Sequence, residues 1–574
     1  MESKINPVLQ ENLLTGSKEW KLTNPATKRE IEGYASKTSV NTGEYISIYV
    51  NTKSEKFNIT LFRMGWYNGL GGRCVMPAVT LNGQKQETPL PDEHGIVECN
   101  WKNPHNITIA NSWTTGIYIL KLEELKNNKQ SYVIFVVRND NYTPDILFQL
   151  PITTYQAYNY WGGKSLYDWG SGSIKKWGTI YGDRASKVSF NRPYACSNTP
   201  EAKLGVGAGE FFSNIQPITT QMYPISPASW DYNMVRWLEK NNYDVSYITN
   251  IDTHIGDNIK DKSSIFMSHG HDEYWSKEMR DNVTKLRDTG SNITFFSSNT
   301  MFWQVRLETS TLSNEPYKTL VCYKDVDIDP IKNEYCTVNF RDYPVENPEA
   351  SFIGVQHFMD PVDGDIIVNN SSHWIFNNTN LKNGDTIPGL LGYEIDGITD
   401  DSPENICVLT KTKGENLLKN NYQFILKNTK KTLERKLENI LTKIKIPQKL
   451  IPITSISIYI LLITIFIYFL KIYLNYSLVL LVSSVISVIV LFGLWLYNSL
   501  KKMNKTIPTK GASNMTIYKA KSGAKVFSTG SMQWSWGLDD YGVPQLRNSR
   551  KNNFAEKITH NILQKFGAKK WEIQ

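Results

Sequence analysis

Residues 264–275 read Ser-Ile-Phe-Met-Ser-His-Gly-His-Asp-Glu-Tyr-Trp, and this stretch decides the fold. Its apolar start predicts the end of a buried strand, and residues 277–280 predict the start of a helix. His269, His271 and Glu273 alternate where the strand gives way to the helix, and alternate side chains of an extended chain point the same way. Because ligands bind at the carboxyl ends of strands in open α/β sheets, the segment predicts a functional site. The alternative is that these residues serve only as helix caps and turn formers.

The sequence alternates between strand and helix patterns from about residue 146. Predicted strands lie at 146–150, 245–248, 264–267 and 293–297, and predicted helices lie at 230–241 and 277–286. That alternation predicts a parallel sheet with helices on both faces. Residues 524–536 again predict a strand and a glycine turn, so we expect the α/β domain to resume after an insertion.

Residues 1–145 instead predict a β-sandwich, because alternating apolar and polar runs are separated by turn-rich stretches. The clearest runs lie at 45–50, 58–62 and 132–137. The glycine-rich loop at 65–73 lacks the Lys-Ser/Thr and the following helix of a phosphate-binding loop, so we expect a tight corner there.

Composition limits the classes of function. A chain of 574 residues is too long for one core. The net charge of +8 is spread along it, and no arginine-rich stripe with interleaved aromatics argues for a nucleic-acid partner. The six cysteines have no C-x-x-C spacing, which disfavours a disulfide framework or a cysteine zinc site. No apolar stretch begins the chain, so we expect no signal peptide.

Two apolar runs, at about 452–471 and 476–498, carry no charge except Lys471 at the end of the first, and each is long enough to cross a bilayer. Lysine-rich residues at 427–449 and 501–510 flank them, and the positive-inside rule places both flanks in the cytoplasm. Residues 433–444 predict an amphipathic helix on the membrane surface. We therefore expect a multi-pass protein of the cell membrane, with a two-helix membrane hairpin and cytoplasmic N- and C-terminal parts. A soluble helical insert is the alternative.

Three kinds of catalytic chemistry are conceivable at the strand-to-helix turn. A covalent nucleophile needs a Gly-x-Ser/Cys-x-Gly elbow, and no cysteine is flanked in that way. A zinc hydrolase of the metallo-β-lactamase type needs His-x-His-x-Asp-His, but Asp272 comes one position early and the third histidine is absent. A hard cation such as ferric iron prefers carboxylate and phenolate oxygens, which Glu273 and the tyrosine-rich residues 154–167 offer. Packing is the alternative role of each tyrosine.

Several motifs follow one another along the chain. They are Tyr155-Gln156-Ala157-Tyr158-Asn159, Ser165-Leu166-Tyr167, Gly270-His271-Asp272-Glu273-Tyr274-Trp275, Ser298-Asn299-Thr300, Gly392-Tyr393-Glu394-Ile395-Asp396-Gly397 and Gln533-Trp534-Ser535-Trp536. Together they resemble the large-subunit family of N,N-dimethylformamidase. The resemblance covers roughly residues 30–410 and 513–574.

This resemblance implies a glutamine-amidotransferase-like, doubly wound α/β domain that holds one iron, as Fe3+, through two tyrosines and one glutamate. Carried over by motif, the metal ligands are Glu273, Tyr194 and Tyr158. Tyr155 is the alternative to Tyr158, which we favour because it lies in the Ala-Tyr-Asn core of its motif.

The resemblance also implies the residues that act on the substrate. His271 would be the general base and then the general acid, and Asn299 would donate a hydrogen bond to the developing oxyanion. Glu273 is expected in the catalytic set as well as among the metal ligands, and Glu394 is a further acid/base candidate. Three tryptophans are expected to wall the pocket: Trp161, Trp275 and Trp303.

The expected domains are an N-terminal β-sandwich at 1–145, the catalytic domain at 146–415, an amphipathic helix with the hairpin at 416–512, and the return of the catalytic domain at 513–574. The expected function is that of a membrane-anchored, iron-dependent hydrolase of linear, formamide-type amides. A non-catalytic, membrane-tethered binding module and a zinc-dependent hydrolase are the alternatives. The expected partners are a small amide, membrane lipid, and either a small partner subunit or further copies of the chain.

Overall fold

A computed structural model of the chain describes residues 5–168, 171, 183–215, 227–257, 259, 263–413 and 511–572. The described residues up to 413 and from 512 onwards form one compact unit, and its architecture is mixed α/β.

The secondary-structure elements are numbered in chain order. The strands are β1 Ile31–Ala35, β2 Ser39–Asn41, β3 Tyr45–Thr52, β4 Lys56–Met64, β5 Gly72–Asn82, β6 His105–Thr108, β7 Gly116–Glu124, β8 Gln130–Arg138, β9 Ile146–Leu150, β10 Lys187–Ser189, β11 Val245–Thr249, β12 Ile265–His271, β13 Tyr274–Ser276, β14 Asn292–Ser298, β15 Trp303–Glu308, β16 Thr319–Val321, β17 Gln356–Ile367, β18 Thr386–Gly397, β19 Cys407–Val408, β20 Thr412–Lys413, β21 Ala512–Ser513, β22 Thr516–Lys519 and β23 Lys525–Ser528. The helices are α1 Pro7–Asn12, α2 Ile152–Tyr158, α3 Asp231–Lys240, α4 Asn250–Ile255, α5 Lys277–Asp288, α6 Ala350–Ile353 and α7 Asn553–Lys565. Short 3-10 helices include Tyr67–Gly69, Trp161–Gly163, Pro200–Gly205, Trp374–Phe376 and Met532–Gly537.

Two sheets face each other in the N-terminal part. One has the strand order β2-β8-β7-β4-β5, and the other has the order β1-β3-β6. Alternation along β3 buries Ile46 and Ile48 and leaves Ser47 between them less buried. These two isoleucines share an apolar core with Leu61 of β4 and Leu120 of β7. One shared core between two sheets is the packing of a β-sandwich.

A seven-stranded sheet follows, in the order β11-β9-β12-β14-β23-β22-β19. The first five strands are parallel, whereas β22 and β19 run antiparallel to their neighbours. Strand β12 is therefore interior, and all seven of its residues are buried. Interior parallel strands are usually apolar throughout, so the polar Ser268–His271 end of β12 marks a place where polar groups are needed.

Helices cover both faces of this sheet. Phe266 of β12 packs in an apolar cluster with Met279 and Val283 of α5, whereas His269 of β12 contacts Asp231 of α3. Because successive side chains of a strand point to opposite faces, α5 and α3 lie on opposite sides of the sheet. The finer likeness to glutamine-amidotransferase domains stays a prediction.

The end of β12 differs from the direct strand-to-helix turn expected from the sequence. Strand β12 ends at His271, two residues follow, and the short strand β13 comes before α5. Helix α5 begins after Ser276, whose hydroxyl accepts a hydrogen bond from the Met279 N–H at 3.1 Å, as an N-cap serine does. Glu273 therefore lies in a tight connection between two strands, which fixes its backbone on both sides.

The expected membrane location is wrong. Among the described residues, no helix is both long and apolar enough to cross a membrane. The predicted spans at 452–471 and 476–498, and the predicted amphipathic helix before them, lie outside the described residues. We therefore retain neither the membrane hairpin, nor the cytoplasmic flanks, nor the membrane-lipid partner derived from it.

Candidate active site at the end of strand β12

Gly270 gives the end of β12 its shape. Its backbone has a φ of +64°, a region that residues with a Cβ rarely adopt. A Cβ at this position would come within 2.9 Å of the Asp231 carboxylate. On the far side of this bend, the N–H of Glu273 donates to the Thr154 hydroxyl of α2 at 2.9 Å. The bend and this hydrogen bond hold Glu273 against α2.

Asp272 is the internal anchor of the turn. Its fully buried carboxylate accepts hydrogen bonds from Gln149 at 2.6 Å, Ser268 at 2.9 Å and Asn250 at 3.0 Å. Burial raises the pKa of Asp272 to about 6, against the effect of these donors. Asp272 therefore ties β12 to strand β9 and helix α4.

Two phenols contact the carboxylate of Glu273. Tyr158 donates to its Oε2 at 2.7 Å, and Tyr167 lies 3.1 and 3.2 Å from its two oxygens. The Tyr167 hydroxyl is also 2.8 Å from that of Tyr158, and the two rings stack with centres 4.5 Å apart. Burial, and then the charge of Glu273, raise the pKa of both phenols well above the usual value. The sequence predicted Tyr158 but assigned no role to Tyr167.

Behind these phenols lies a cation that sequence reasoning missed. Lys324 donates to the Tyr274 hydroxyl at 2.7 Å, and Tyr274 donates to Tyr167 at 2.6 Å. The ammonium of Lys324 is also 3.5 Å from the centre of the Tyr167 ring. Burial lowers the pKa of Lys324 to about 8. No local motif marks Lys324, since only the fold brings it to the tyrosines.

His271 lies between two carboxylates. Its Nε2 is 3.2 Å from Oε2 of Glu273 and 3.6 Å from Oε2 of Glu394, which comes from β18. Burial acts to raise the pKa of Glu273, but the hydrogen bond and charge of His271, with Lys324 and Tyr158, hold it below its usual value. Burial, then the charges of Asp360 and Glu273, raise the pKa of Glu394 well above its usual value. The environment thus shifts the pKa values of the two carboxyl groups in opposite directions on either side of one imidazole.

Asn299 approaches from the end of β14. Its backbone is left-handed, with a φ of +49°, and its N–H donates to Asp396 at 2.9 Å. Ser298 beside it donates to the backbone carbonyl of Glu394 at 2.5 Å. A hydrogen bond from the Asn299 side chain reaches the Glu394 carboxyl and acts to lower its pKa. The structure therefore brings Asn299, Glu394 and His271 together.

The two other predicted tyrosines lie elsewhere. Tyr155 donates to Asp231 at 2.5 Å, and the other oxygen of Asp231 is 3.1 Å from Nδ1 of His269. The ring of Tyr194 meets that of Tyr155 edge-on, with centres 6.3 Å apart. Within the described part of the chain, no hydrogen bond or ring contact joins Tyr194 to Glu273. Tyr158 is thus the tyrosine of its motif that reaches Glu273, and a metal-binding role for Tyr194 stays a prediction.

Of the three tryptophans expected to line the pocket, only one lies close to the site. Trp275 lies in the apolar core with α5, and Trp161 donates to Glu32 of the N-terminal sheet at 2.8 Å. Trp303 does lie close, 4.8 Å from the ammonium of Lys324. Trp230, which was not predicted, meets His271 edge-on with ring centres 6.2 Å apart.

The donor set fits an oxygen-preferring cation. In the described residues no cluster of three or more His, Cys, Asp or Glu side chains could hold a metal, and the expected set of two tyrosines and one glutamate stays a prediction. What converges instead is phenol and carboxylate oxygen, the chemistry that a hard cation such as ferric iron prefers. Oε2 of Glu394 and Oδ1 of Asn299 are buried without a hydrogen-bond partner among the described residues, so both are placed to meet a further group.

Comparison with known proteins gives one strong match. Residues 58–549 match the model of the family described as N,N-dimethylformamidase beta subunit-like, C-terminal. No curated protein matches the chain. Among solved structures, an AA10 lytic polysaccharide monooxygenase from Streptomyces lividans is 14% identical over 17% of this chain and 57% of its own, with a TM-score of 0.12. A family 123 glycoside hydrolase from Clostridium perfringens is 10% identical over 52% of this chain and 53% of its own, with a TM-score of 0.10. The chain thus spans little more than half the length of each of these two proteins, and TM-scores this low carry no argument.

The family match covers most of the sequence and includes every residue of the site above, so the chain belongs to the N,N-dimethylformamidase beta subunit-like family.

Proposed function

We propose that the protein is an iron-dependent amidohydrolase, which cleaves a linear, formamide-type C–N bond with water. The observation that supports this most is one buried cluster, in which Glu273 contacts Tyr158, Tyr167 and His271 at the end of a central strand. Membership of the family supports hydrolysis of an amide as the reaction class.

The residues that would hold the metal are those whose oxygens converge. Tyr158 and Glu273 are common to the family resemblance and to the geometry. Tyr167 is the third oxygen donor that the geometry favours, whereas the resemblance names Tyr194. Bound iron would polarise the amide carbonyl and lower the pKa of a bound water.

His271 would move the proton. Its Nε2 lies between Glu273 and Glu394, so it can take a proton from the attacking water and pass it to the leaving amine nitrogen. No further reactant is needed. As the C–N bond breaks, the hydroxyl of the water stays on the carbonyl carbon and its proton goes to the leaving nitrogen. The low pKa of Glu273 keeps a negative charge beside the imidazolium that forms between the two transfers.

Asn299 and Glu394 would contact the carbonyl oxygen of the substrate. A well-placed amide donor stabilises a developing oxyanion by about 3 kcal/mol. The raised pKa of Glu394 favours its protonated form, in which the carboxyl would offer an O–H donor. In that form the two side chains would supply neutral donors rather than a second negative charge.

The experiment that tests this proposal measures metal content and amide hydrolysis on the same preparation. Wild type should contain about one iron per chain and release formate from a small formamide. Glu273→Ala should lose both, while the control Glu278→Ala, on the exposed side of α5, should keep both. Zinc in place of iron would favour the zinc hydrolase, and a folded wild type without metal or turnover would favour the binding module.

A further inference from the structure

A cavity of about 260 Å³, separate from the candidate active site, lies between residues 26–32 and residues 194–206. It is lined by none of the residues that contact Glu273. Tyr194 forms part of its wall, which gives this tyrosine a place in the structure independent of the candidate active site.

The charge of this cavity is positive. Lys28, Arg29 and Lys203 line it, against the single carboxylate of Glu32. Both oxygens of Glu32 are engaged: Arg29 donates to them at 2.7 and 2.8 Å, and Asn51 and Trp161 donate at 2.9 and 2.8 Å. Arg29 and Glu32 therefore neutralise each other, and the two lysines remain.

Neither lysine has an acidic partner within the part of the chain that the structure describes. Glu30 is close in sequence, but it does not line the cavity and its carboxylate accepts a hydrogen bond from the Lys28 backbone N–H at 2.8 Å. Two ammonium groups that share a concave site without a counter-ion attract an anion.

The rest of the lining limits the size and shape of the ligand. The cavity volume is several times the roughly 30 Å³ that one water occupies in the liquid, so a bare inorganic anion would not fill it. Apolar surface comes from Ala26 and Val206. The Tyr194 hydroxyl has no hydrogen-bond partner among the described residues, so it is available to a ligand.

We propose that this cavity binds a small organic oxyanion, a carboxylate or phosphate carried on an apolar or aromatic body. The anionic group lies between the ammonium groups of Lys28 and Lys203, and the apolar body lies against Ala26, Val206 and the Tyr194 ring.

The test uses the full-length protein and two matched pairs of probes. Calorimetry compares benzoate with its neutral analogue benzamide, and phenyl phosphate with phenol. Benzoate or phenyl phosphate should bind at least about tenfold more tightly than its neutral partner, which corresponds to about 1.4 kcal/mol, because hydrogen bonds from an ammonium to an anion are stronger than those to a neutral group. Which of the two anions binds more tightly distinguishes a carboxylate from a phosphate ligand.

Substitutions of residues that line the cavity test whether the anionic probes bind there. Lys203→Met and Lys28→Met should each weaken the anion about fivefold or more, and Tyr194→Phe should weaken it less. Lys53→Met, an exposed lysine outside the cavity, should leave it unchanged. Equal binding of anion and neutral analogue, no binding to wild type, or unchanged affinity in Lys203→Met would each overturn the proposal. Because these readouts need no iron and no turnover, failure of the proposed amidohydrolase activity would leave this proposal standing.

Discussion

The ammonium of Lys324 lies 3.5 Å from the centre of the Tyr167 ring. It also donates to the Tyr274 hydroxyl, so one cation faces two of the phenols near Glu273. Partly buried cation–π contacts contribute about 1–2 kcal/mol, and a positive charge here stabilises negative charge on the tyrosine oxygens and on Glu273.

Lys324→Met should therefore lower kcat about tenfold or more, since about 1.4 kcal/mol corresponds to a factor of ten. Steady-state kinetics on a small formamide, with iron content measured on the same sample, would check this. Lys324→Arg should retain more activity because it keeps the charge, and Lys332→Met should resemble wild type. Full activity in Lys324→Met would show that the cation only packs against the rings.

The second prediction separates Tyr167 from Tyr194 as an iron ligand. Tyr167 lies within 3.2 Å of both Glu273 oxygens, whereas Tyr194 contacts Tyr155. Tyr167→Phe should lower iron content and weaken a tyrosinate-to-iron absorption band, and Tyr194→Phe should leave both unchanged. Metal analysis and a visible spectrum check this without any turnover. The opposite pattern would support the ligand set implied by the family resemblance.

How much of this site the sequence reveals depends on how local each interaction is. The sequence predicts Glu273 and His271 because one strand end carries them together, and it predicts Tyr158 because its motif is continuous. Lys324 and Trp230 come from distant parts of the chain and reach the site only through the fold, so no local spacing marks them. The same holds for the positions of Trp161 and Trp275, because an apolar side chain carries no sign of which core it enters.

The pattern of apolar and polar residues along a strand is also local, so it predicts features of single strands. Period-two alternation predicts the faces of β3, and an apolar run that ends in polar residues predicts the functional site at the end of β12. Neither pattern contains the order of the strands, which is set by long-range pairing such as β14 with β23. The apolar runs near 452–498 show that hydropathy can also mislead, since it alone predicted a membrane location that the described residues do not support.

The third prediction concerns Asn299 and uses its unusual backbone. At a φ of +49°, alanine would add strain but glycine would not. Asn299→Gly therefore removes the amide donor and keeps the backbone, and it should lower kcat about 100-fold with little change in KM. Asn299→Ala should in addition lower the unfolding temperature. A variant Asn299→Gly with unchanged kcat would exclude the side chain from transition-state stabilisation.

The fourth prediction concerns Asp272 as an anchor. Replacing it with alanine leaves the donors of Gln149, Ser268 and Asn250 without their acceptor, and each unsatisfied buried group costs about 1–3 kcal/mol. Asp272→Ala should therefore lower the free energy of unfolding by about 3 kcal/mol or more, which urea unfolding would measure. Asp272→Asn should lose less, because its amide oxygen still accepts hydrogen bonds. Exposed Asp288→Ala is the control, and equal stability of all three variants would remove the anchoring role.

The last prediction is a pH dependence of stability that arises far from the active site. His560 of α7 lies against Trp237, and its Nδ1 is 2.7 Å from the Tyr243 hydroxyl. Burial, and then the charge of Lys570, lower the pKa of His560 to about 4 from its usual 6.5. The unfolded chain therefore binds a proton that the folded chain does not as pH falls from about 6.5 to 4. Linkage requires the contribution of this histidine to be present above about pH 6.5 and to be lost progressively down to about pH 4.

Thermal unfolding of wild type and His560→Gln across this range measures that contribution as a difference, which removes the effects of the other histidines. Glutamine keeps a hydrogen-bond acceptor for Tyr243 but does not titrate. The advantage of wild type over the variant should therefore be largest above pH 6.5 and should shrink towards pH 4. A difference that stays constant with pH would show that His560 contributes by packing alone and that its imidazole has an ordinary pKa in the folded protein.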